Sequence, residues 1–221
     1  MKQIKRIAIL GAPGAGKGTL IKELIVKLGI PAISTSDSLR EAVKSSANSF
    51  FKDQDITTLK ECMSSGKLVP NSIVENVMAN RLNQSDCKSG YLLDGFPRTV
   101  EQAEFMDKNN IELDLAVELS VDRKIIEERT LSRRVCPNCN EIYNLATDRK
   151  PKVDGKCDKC GADLIVRKDD TPEIVKNRLD IYDKETYPVV SYYQKKGILV
   201  TVNGSQSLED MVNSILKSVK S

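Results

Sequence analysis

The sequence predicts an α/β fold in which a five-stranded parallel sheet is flanked by helices and carries two small mobile insertions. Two observations support this prediction. Short apolar runs alternate with longer helical patterns along most of the chain, and one stretch rich in cysteine and lysine interrupts that rhythm. A length of 221 residues suits one domain better than two. We therefore expect a single domain over residues 1–221, with insertions at 34–68 and 132–169.

The first predicted element is a strand over residues 4–10, because a short apolar run ends there at Gly11. A helix follows from Lys17, since apolar residues then recur at every third or fourth position until Gly29. The pattern predicts further strands at 32–33, 91–94, 113–121 and 198–202, and a last helix at 207–219. These segments account for the five strands of the expected sheet.

Composition excludes several classes of protein. The chain has 34 Lys+Arg against 31 Asp+Glu, a balance of +3 that does not indicate a nucleic-acid-binding surface. No stretch approaches the roughly 20 apolar residues of a membrane span, and residues 1–6 lack the start of a signal peptide. We therefore expect a cytoplasmic monomer without nucleic-acid or membrane partners. Because the chain has no histidine, catalysis would rest on Lys, Arg, Asp, backbone amides and metal ions.

The sequence GAPGAGKGT at residues 11–19 lies between the first strand and the first helix. In that position a glycine-rich loop can surround a phosphate with backbone amides, while the lysine reaches the outer phosphates. The general pattern has Ser or Thr directly after the lysine, but here that position is Gly18 and the hydroxyl follows at Thr19. A glycine-rich turn without a ligand is the alternative. The predicted phosphate-binding residues are Gly14, Ala15, Gly16, Lys17, Gly18 and Thr19.

Four of the six cysteines form two C-x₂-C pairs, Cys136 with Cys139 and Cys157 with Cys160, and 17 residues separate the pairs. This spacing is typical of a tetrahedral zinc site, and four thiolates leave no open position on the ion. The pattern therefore predicts a structural Zn²⁺ in an insertion that has few apolar residues. A redox or disulfide role is the alternative. Cys62 and Cys87 lack partners at metal-binding spacing, and we interpret them as buried or incidental thiols.

Several further motifs accompany the glycine loop: STSDSLR at 34–40, GKLV at 66–69, DGFPR at 94–98, and RKDD at 167–170 followed by Arg178. Together with GAPGAGKGT they cover essentially the whole chain. The sequence resembles the adenylate kinase family of nucleoside monophosphate kinases, in the long-lid form with a four-cysteine zinc lid. The resemblance implies a P-loop nucleoside kinase fold and reversible, Mg²⁺-dependent conversion of ATP and AMP to two ADP, serving adenine nucleotide homeostasis. Residues 34–68 would bind the acceptor, and residues 132–169 would form the lid.

The resemblance also implies roles for individual residues. Phosphoryl transfer depends on positioning and on stabilising spread negative charge, a task that suits arginine. The donor ATP would contact the glycine loop, Arg129 and Arg133. The acceptor AMP would contact Thr35, Arg40, Lys67, Leu68, Val69, Gly95, Arg98, Gln102, Arg167 and Arg178. The catalytic residues would be Lys17, Asp94, Arg98, Arg133, Arg167 and Arg178.

Two of these roles have alternatives. Asp94 ends a predicted strand, where its carboxylate could orient Mg²⁺ through water or could simply begin an Asp-Gly turn. Arg129 could bind ATP, stack on a base or belong only to a helix.

The sequence departs from the family pattern in three places. Ser36 replaces the glycine that usually follows the threonine, the 45–64 segment is longer and contains Ser-Phe-Phe at 49–51, and residues 143–152 lack the usual tyrosine-histidine and paired prolines. A UMP/CMP or GTP-using monophosphate kinase is one alternative to the adenylate kinase interpretation, although we still expect AMP to bind. A P-loop nucleic-acid-binding protein that uses the zinc ribbon for contact is another, and a non-catalytic nucleotide-binding protein is a third.

Overall fold

The computed structural model describes residues 5–44, 53–65, 67–167 and 169–220. The Ser-Phe-Phe stretch at 49–51, Gly66 and Lys168 lie outside these ranges. The strands are β1 (Arg6–Leu10), β2 (Ala32–Ser34), β3 (Tyr91–Asp94), β4 (Leu115–Ser120), β5 (Arg133–Val135), β6 (Ile142–Asn144) and β7 (Leu199–Asn203). The helices are α1 (Lys17–Leu28), α2 (Thr35–Lys44), α3 (Asp53–Ser65), α4 (Asn71–Leu82), α5 (Val100–Lys108), α6 (Arg123–Leu131), α7 (Pro172–Ile181), α8 (Tyr187–Lys195) and α9 (Leu208–Lys220). A 3₁₀ turn covers Ser85–Cys87, and a π-helical turn, Tyr182–Thr186, joins α7 to α8.

The main sheet has five parallel strands in the order β2-β3-β1-β4-β7, which confirms the predicted fold class. The central strand β1 pairs with β3 on one side and with β4 on the other, so that Ile7 is opposite Leu92 and Leu115. The bounds of β3 equal the predicted segment, and the other four strands of this sheet differ from theirs by at most two residues at either end. The predicted first helix and last helix correspond to α1 and α9.

Side chains of β1 alternate between the two faces of the sheet, as the two-residue period of a strand requires. Ile7 and Ile9 pack with Leu20 and Leu24 of α1, whereas Ala8 packs in a separate cluster with apolar residues of α4 and β3. The side chains of Ile7, Leu20 and Leu24 are fully buried. Burial of each such side chain contributes roughly 1.5–3 kcal/mol, so the two helical layers hold the sheet between them.

The two predicted insertions differ in how they pack. Residues 34–68 contain α2 and α3, whose apolar side chains join those of α4 in a small core around Leu39 and Leu59. The 132–169 segment contains the antiparallel pair β5–β6 and a cluster limited to two of the cysteines, Tyr143 and two partly buried neighbours. Within the described residues, no helix is long and apolar enough to cross a membrane.

The carboxyl ends of β1, β2 and β3 meet at one edge of the main sheet. Gly11 follows β1, Thr35 follows β2 and Asp94 ends β3. In open parallel sheets, ligands bind in the crevice at this edge, where the strand order changes direction. The fold therefore brings motifs from separate parts of the chain to one place.

Candidate active site

The glycine loop connects β1 to α1 and depends on backbone conformations that other residues resist. Gly16, directly before α1, is in the left-handed region with φ 101°, and Gly14 has φ 88°. A Cβ on Gly14 would lie 2.1 Å from Thr130 Oγ1, so α6 leaves no room for a side chain there. The loop therefore presents bare backbone at the amino end of α1, where the helix dipole favours an anion.

Lys17 closes this loop through contacts with its backbone. Its Nζ donates hydrogen bonds to the carbonyl oxygens of Gly11 at 2.7 Å and Ala12 at 2.9 Å. Burial lowers the pKa of Lys17 to about 8; the Asp94 carboxylate opposes this shift, and Arg98 adds to it. The ammonium therefore lies in a positive, poorly solvated site, which a phosphate would stabilise.

Arg98 is fixed from two directions. A Cβ on Gly95, which has φ 80°, would lie 2.7 Å from Arg98 Nη2, so the guanidinium lies against bare backbone. The backbone N–H of Arg98 donates to Gln102 Oε1 at 2.7 Å, and Gln102 Nε2 donates to Asn71 Oδ1 at 2.8 Å. Burial lowers the pKa of Arg98 from its ordinary value, with Asp94 acting in the opposite direction. Gln102 thus fixes the backbone at Arg98 and also lines a cavity beside it.

Two arginines, one in the 132–169 segment and one in α7, are paired with two adjacent aspartates. Arg133 makes two hydrogen bonds to the Asp170 carboxylate, one of them 2.8 Å from Nε, and the Asp170 side chain is fully buried. Arg178 Nη1 donates to Asp169 Oδ2 at 2.6 Å. Burial lowers the pKa of Arg167, as does the neighbouring charge of Arg133. The aspartates therefore hold a cationic cluster that could exchange them for phosphate oxygens.

Two adjoining cavities, of about 110 and 170 Å³, share part of their lining. The first is lined by Gly11, Pro13 and Lys17 of the glycine loop. The second contains many of the predicted acceptor residues: Thr35, Arg40, Lys67, Leu68, Val69, Gly95, Arg98, Gln102 and Arg178. Four residues line both cavities: Leu68, Gly95, Arg98 and Arg178. A group on the glycine loop would therefore face a group in the second cavity across Arg98 and Arg178.

Three predicted residues make contacts that the sequence did not indicate. Arg129 Nη1 donates to the carbonyl oxygen of Gly204 at 2.9 Å, tying α6 to the loop after β7. The exposed Arg40 pairs with Asp37 at 2.8 Å. The buried Thr35 hydroxyl donates to the carbonyl oxygen of Asp94 at 3.2 Å.

Sequence reasoning missed some residues that shape the site. Asp169 and Asp170 were recognisable in principle, because adjacent carboxylates lie between Arg167 and Arg178 in the sequence. Nothing in the sequence indicated Asn71, whose side-chain oxygen accepts a hydrogen bond from Gln102. The π-helical turn contributes Tyr182 and Thr186 to the wall of the first cavity, and only the folded chain reveals that placement.

The four predicted zinc ligands come together in the 132–169 segment. The Sγ atoms of Cys136, Cys139, Cys157 and Cys160 all lie within 4.8 Å of one another. The shorter separations are 3.4, 3.5 and 3.7 Å, close to the roughly 3.8 Å expected between thiolates around tetrahedral zinc. A disulfide would require about 2.05 Å. The donor set therefore fits a closed zinc site.

The two remaining cysteines lie elsewhere. Cys87 is buried beside Arg81, whose Nη1 is 3.0 Å from the sulfur. Cys62 is half-buried and lines the second cavity. The prediction of a buried or incidental thiol therefore fits Cys87, while Cys62 adds a thiol to the second cavity.

Comparison with known proteins relates this chain to one family. A family model described as "Adenylate kinase" matches residues 9–198. An adenylate kinase from Thermodesulfovibrio yellowstonii is 46% identical over 214 residues, which are 95% of this chain and 96% of the relative. An adenylate kinase from Thermosipho africanus is 43% identical over 218 residues, or 97% of this chain and 99% of the relative. One from Clostridium perfringens is 43% identical over 216 residues, or 96% and 97%.

Proposed function

The chain belongs to the adenylate kinase family and is a phosphotransferase, and from this we propose how its own residues move a phosphoryl group between ATP and AMP. One observation carries the proposal: the cavity at the glycine loop and the cavity at Thr35 share the wall formed by Arg98 and Arg178. A donor and an acceptor phosphate on the two sides would meet at these guanidinium groups.

We assign the donor triphosphate to the glycine loop. The amides of residues 14–19 would bind its phosphates, and Lys17 would exchange the carbonyl oxygens of Gly11 and Ala12 for phosphate oxygens. Arg133 would approach from the lid, and Arg129 would border the donor from α6. Magnesium that arrives with the triphosphate would be held through water by Asp94 and would neutralise phosphate charge. The proximity of Asp94 to Lys17 and Arg98 supports this placement.

We assign the acceptor monophosphate to the second cavity. Arg40, Arg98, Arg167 and Arg178 would bind its phosphate, because guanidinium groups match phosphate oxygens in pairs. Thr35, Gln102 and the backbone of residues 67–69 would surround the base. Asp169 and Asp170 pair with Arg178 and Arg133, which supports two states of these arginines. In one state the carboxylates bind the guanidinium groups, and in the other the phosphates of the nucleotides would replace the carboxylates.

In the transfer step, an oxygen of the AMP phosphate attacks the γ-phosphorus of ATP. The bond from that phosphorus to the β–γ bridging oxygen breaks, and two ADP molecules result. Lys17 and the arginines stabilise the charge that spreads over the moving group. Closure of the lid at 132–169 and of the acceptor insertion at 34–68 would exclude water, which would otherwise hydrolyse ATP.

The four cysteines would hold one structural Zn²⁺ in the lid. Four thiolates complete its coordination, so the ion would stabilise the lid and take no part in the reaction.

We further propose that the protein is a cytoplasmic monomer with ATP, AMP and ADP as its partners and without a nucleic-acid partner. The near balance of charge, +3 over the whole chain, supports the proposed lack of a nucleic-acid partner.

Replacing Arg98 by alanine tests the shared wall. In a coupled assay with ATP and AMP, R98A should lose about 10²–10³-fold in kcat/KM, because a guanidinium at the transferring group is missing. Affinity for a non-hydrolysable ATP analogue, measured by calorimetry, should stay near that of the wild type. Arg81→Ala is a matched control, because Arg81 pairs with Asp86. Near-normal turnover of R98A would contradict the assignment of Arg98 to the acceptor phosphate. Separately, activity measured with a panel of NTPs and NMPs would identify a UMP/CMP or GTP-using enzyme.

A further inference from the structure

Arg149, in the turn after β6, connects the lid to the glycine loop. Its Nη1 donates to the hydroxyl oxygen of Thr19 at 2.8 Å, and its Nη2 donates to Glu141 Oε1 at 3.0 Å. Thr19 lies in the first turn of α1, which belongs to the core, whereas Glu141 lies in the lid. One guanidinium therefore joins two parts of the molecule at the candidate donor site.

The turn that carries Arg149 is held by its own hydrogen bonds. The Asn144 backbone N–H donates to the carbonyl oxygen of Arg149 at 3.0 Å, and Asn144 Oδ1 accepts from the Ala146 N–H at 2.9 Å. Asn144 Nδ2 also donates to the carbonyl oxygen of Arg129 in α6 at 2.7 Å. These contacts orient Arg149 toward the core.

Glu141 provides a second connection between lid and core. Its side chain is only 12% exposed and interacts with Arg149, with Lys159 of the lid at 2.7 Å and with Lys22 of α1 at 3.8 Å. A carboxylate with so little exposure needs cationic partners. Lys22 of α1 and Arg149 of the lid thus both contact the Glu141 carboxylate when the lid lies against α1.

The surroundings of Arg149 favour an anion on the glycine loop. The guanidinium lies beside the amino end of α1, whose dipole is positive, and the Lys17 ammonium lies in the same first turn. One carboxylate, Glu141, is shared among three cations. A polyphosphate on the loop would offset this positive charge, so the contact between Arg149 and Thr19 is more favourable when the loop is occupied.

We propose that Arg149 is a positioning residue that couples closure of the lid to occupation of the glycine loop by the donor's triphosphate. The inference rests on the proposed function, since it takes the donor to bind at residues 14–19. A contact that favours the closed lid and is favoured by the triphosphate must, by linkage, raise the affinity for the triphosphate by the same factor. Arg149 thereby keeps Arg133 over the donor and limits the entry of water.

The test compares Arg149→Ala with the wild type in steady-state kinetics. The KM for ATP should rise about tenfold, as expected for the loss of one charge-assisted hydrogen bond, while the KM for AMP should stay within about twofold. The kcat should not fall, because Arg149 does not touch the reacting atoms and a looser lid releases product at least as fast. Arg149→Lys keeps the positive charge but cannot donate from two nitrogens to Thr19 and Glu141, so it should give an intermediate KM for ATP.

Lys150→Ala is the matched control, because it removes the same charge from the next, exposed residue. Its KM for ATP should equal that of the wild type. A second readout is independent of activity: calorimetry with a non-hydrolysable ATP analogue should show the same loss of affinity in R149A, and none in K150A. Melting curves verify that each variant is folded.

Two results would overturn the inference. One is a KM for ATP and an analogue affinity in R149A equal to those of K150A. The other is a lower melting temperature in R149A without a change in analogue affinity, which would indicate a purely structural contact. Wild-type enzyme that produces no ADP from ATP and AMP would instead refute the proposed function, so the two failures are distinguishable.

Discussion

The glycine loop at 11–19 and the cysteine ribbon at 136–160 are both mostly irregular backbone, but different forces hold them. The loop is embedded in the core: Ala12 and Ala15 are 6% and 1% exposed, and Gly14 packs directly on α6. The ribbon has a cluster of three buried side chains, two of which are cysteines, and nearby Val153, Ile165 and Val166 are substantially exposed. Hydrophobic burial therefore supports the loop, whereas the ribbon would depend on the zinc that we propose for its four cysteines.

Because different forces hold the two regions, we expect substitutions in them to affect different properties of the protein. Changes to polar groups of the loop should reduce activity and leave the fold intact, because the surrounding core stays packed. Changes to the ribbon should reduce stability first, because little else holds it.

The largest effect is expected for Lys17→Met. It should reduce kcat/KM by at least about 10³-fold, because the ammonium that contacts the phosphates is lost. The free energy of unfolding at pH 7 should not fall, since a pKa lowered to about 8 means that the folded state loses roughly 3 kcal/mol by burying this charge. Coupled kinetics and urea unfolding measure the two quantities. Lys27→Met, at an exposed site on the same helix, should change neither; a strongly destabilised K17M would contradict the contrast.

Removal of metal should act on the ribbon. The purified protein should contain about one zinc per chain, and chelation should lower the melting temperature by several degrees, with the lid unfolding first. Affinity of the core for inorganic triphosphate should change much less. Metal analysis and calorimetry provide the measurements, with Cys87→Ser as a control that keeps the zinc. An unchanged melting curve after verified loss of metal would show that packing alone holds the ribbon.

Glycine substitutions compare the two regions directly. Gly14→Ala should destabilise the protein by about 3 kcal/mol, because its Cβ would meet Thr130 Oγ1 at 2.1 Å and φ is positive. Gly155→Ala, in the ribbon, has φ 68° but no atom within 4 Å of the added Cβ, so only the backbone cost of about 1 kcal/mol remains. Urea unfolding tests both variants. Equal effects would mean that the loop is not held by close packing.

The smallest effect concerns pH. The pKa of Lys17 is lowered to about 8 from 10.5, so its ammonium is lost in the unliganded protein as pH rises through about 8. The KM for ATP should therefore rise a few-fold between about pH 7 and pH 9. The unfolded chain keeps this proton up to about 10.5, so between these values the residue makes the folded state more stable as pH rises. K17M should lack this stability increment, as measured by urea unfolding at several pH values; an identical pH dependence would contradict the assignment.

Much of the molecule could be predicted from sequence alone, because its signals are local. Apolar periodicity predicted the five strands of the main sheet and the helices α1 and α9. The glycine loop needs only backbone and one lysine within nine consecutive residues, and the zinc ligands repeat one four-residue motif. In each case the residues that determine the structure are close in the chain, so their spacing carries the information.

Only the tertiary structure decided which distant side chains meet. It paired Arg133 with Asp170, attached Arg129 to Gly204, and placed Arg98 on the wall between two cavities. It also brought Arg149 of the 132–169 segment to Thr19 of the glycine loop. Such contacts depend on how helices and loops pack across the sheet, and the orientation of a long, flexible side chain leaves no periodic trace in the sequence.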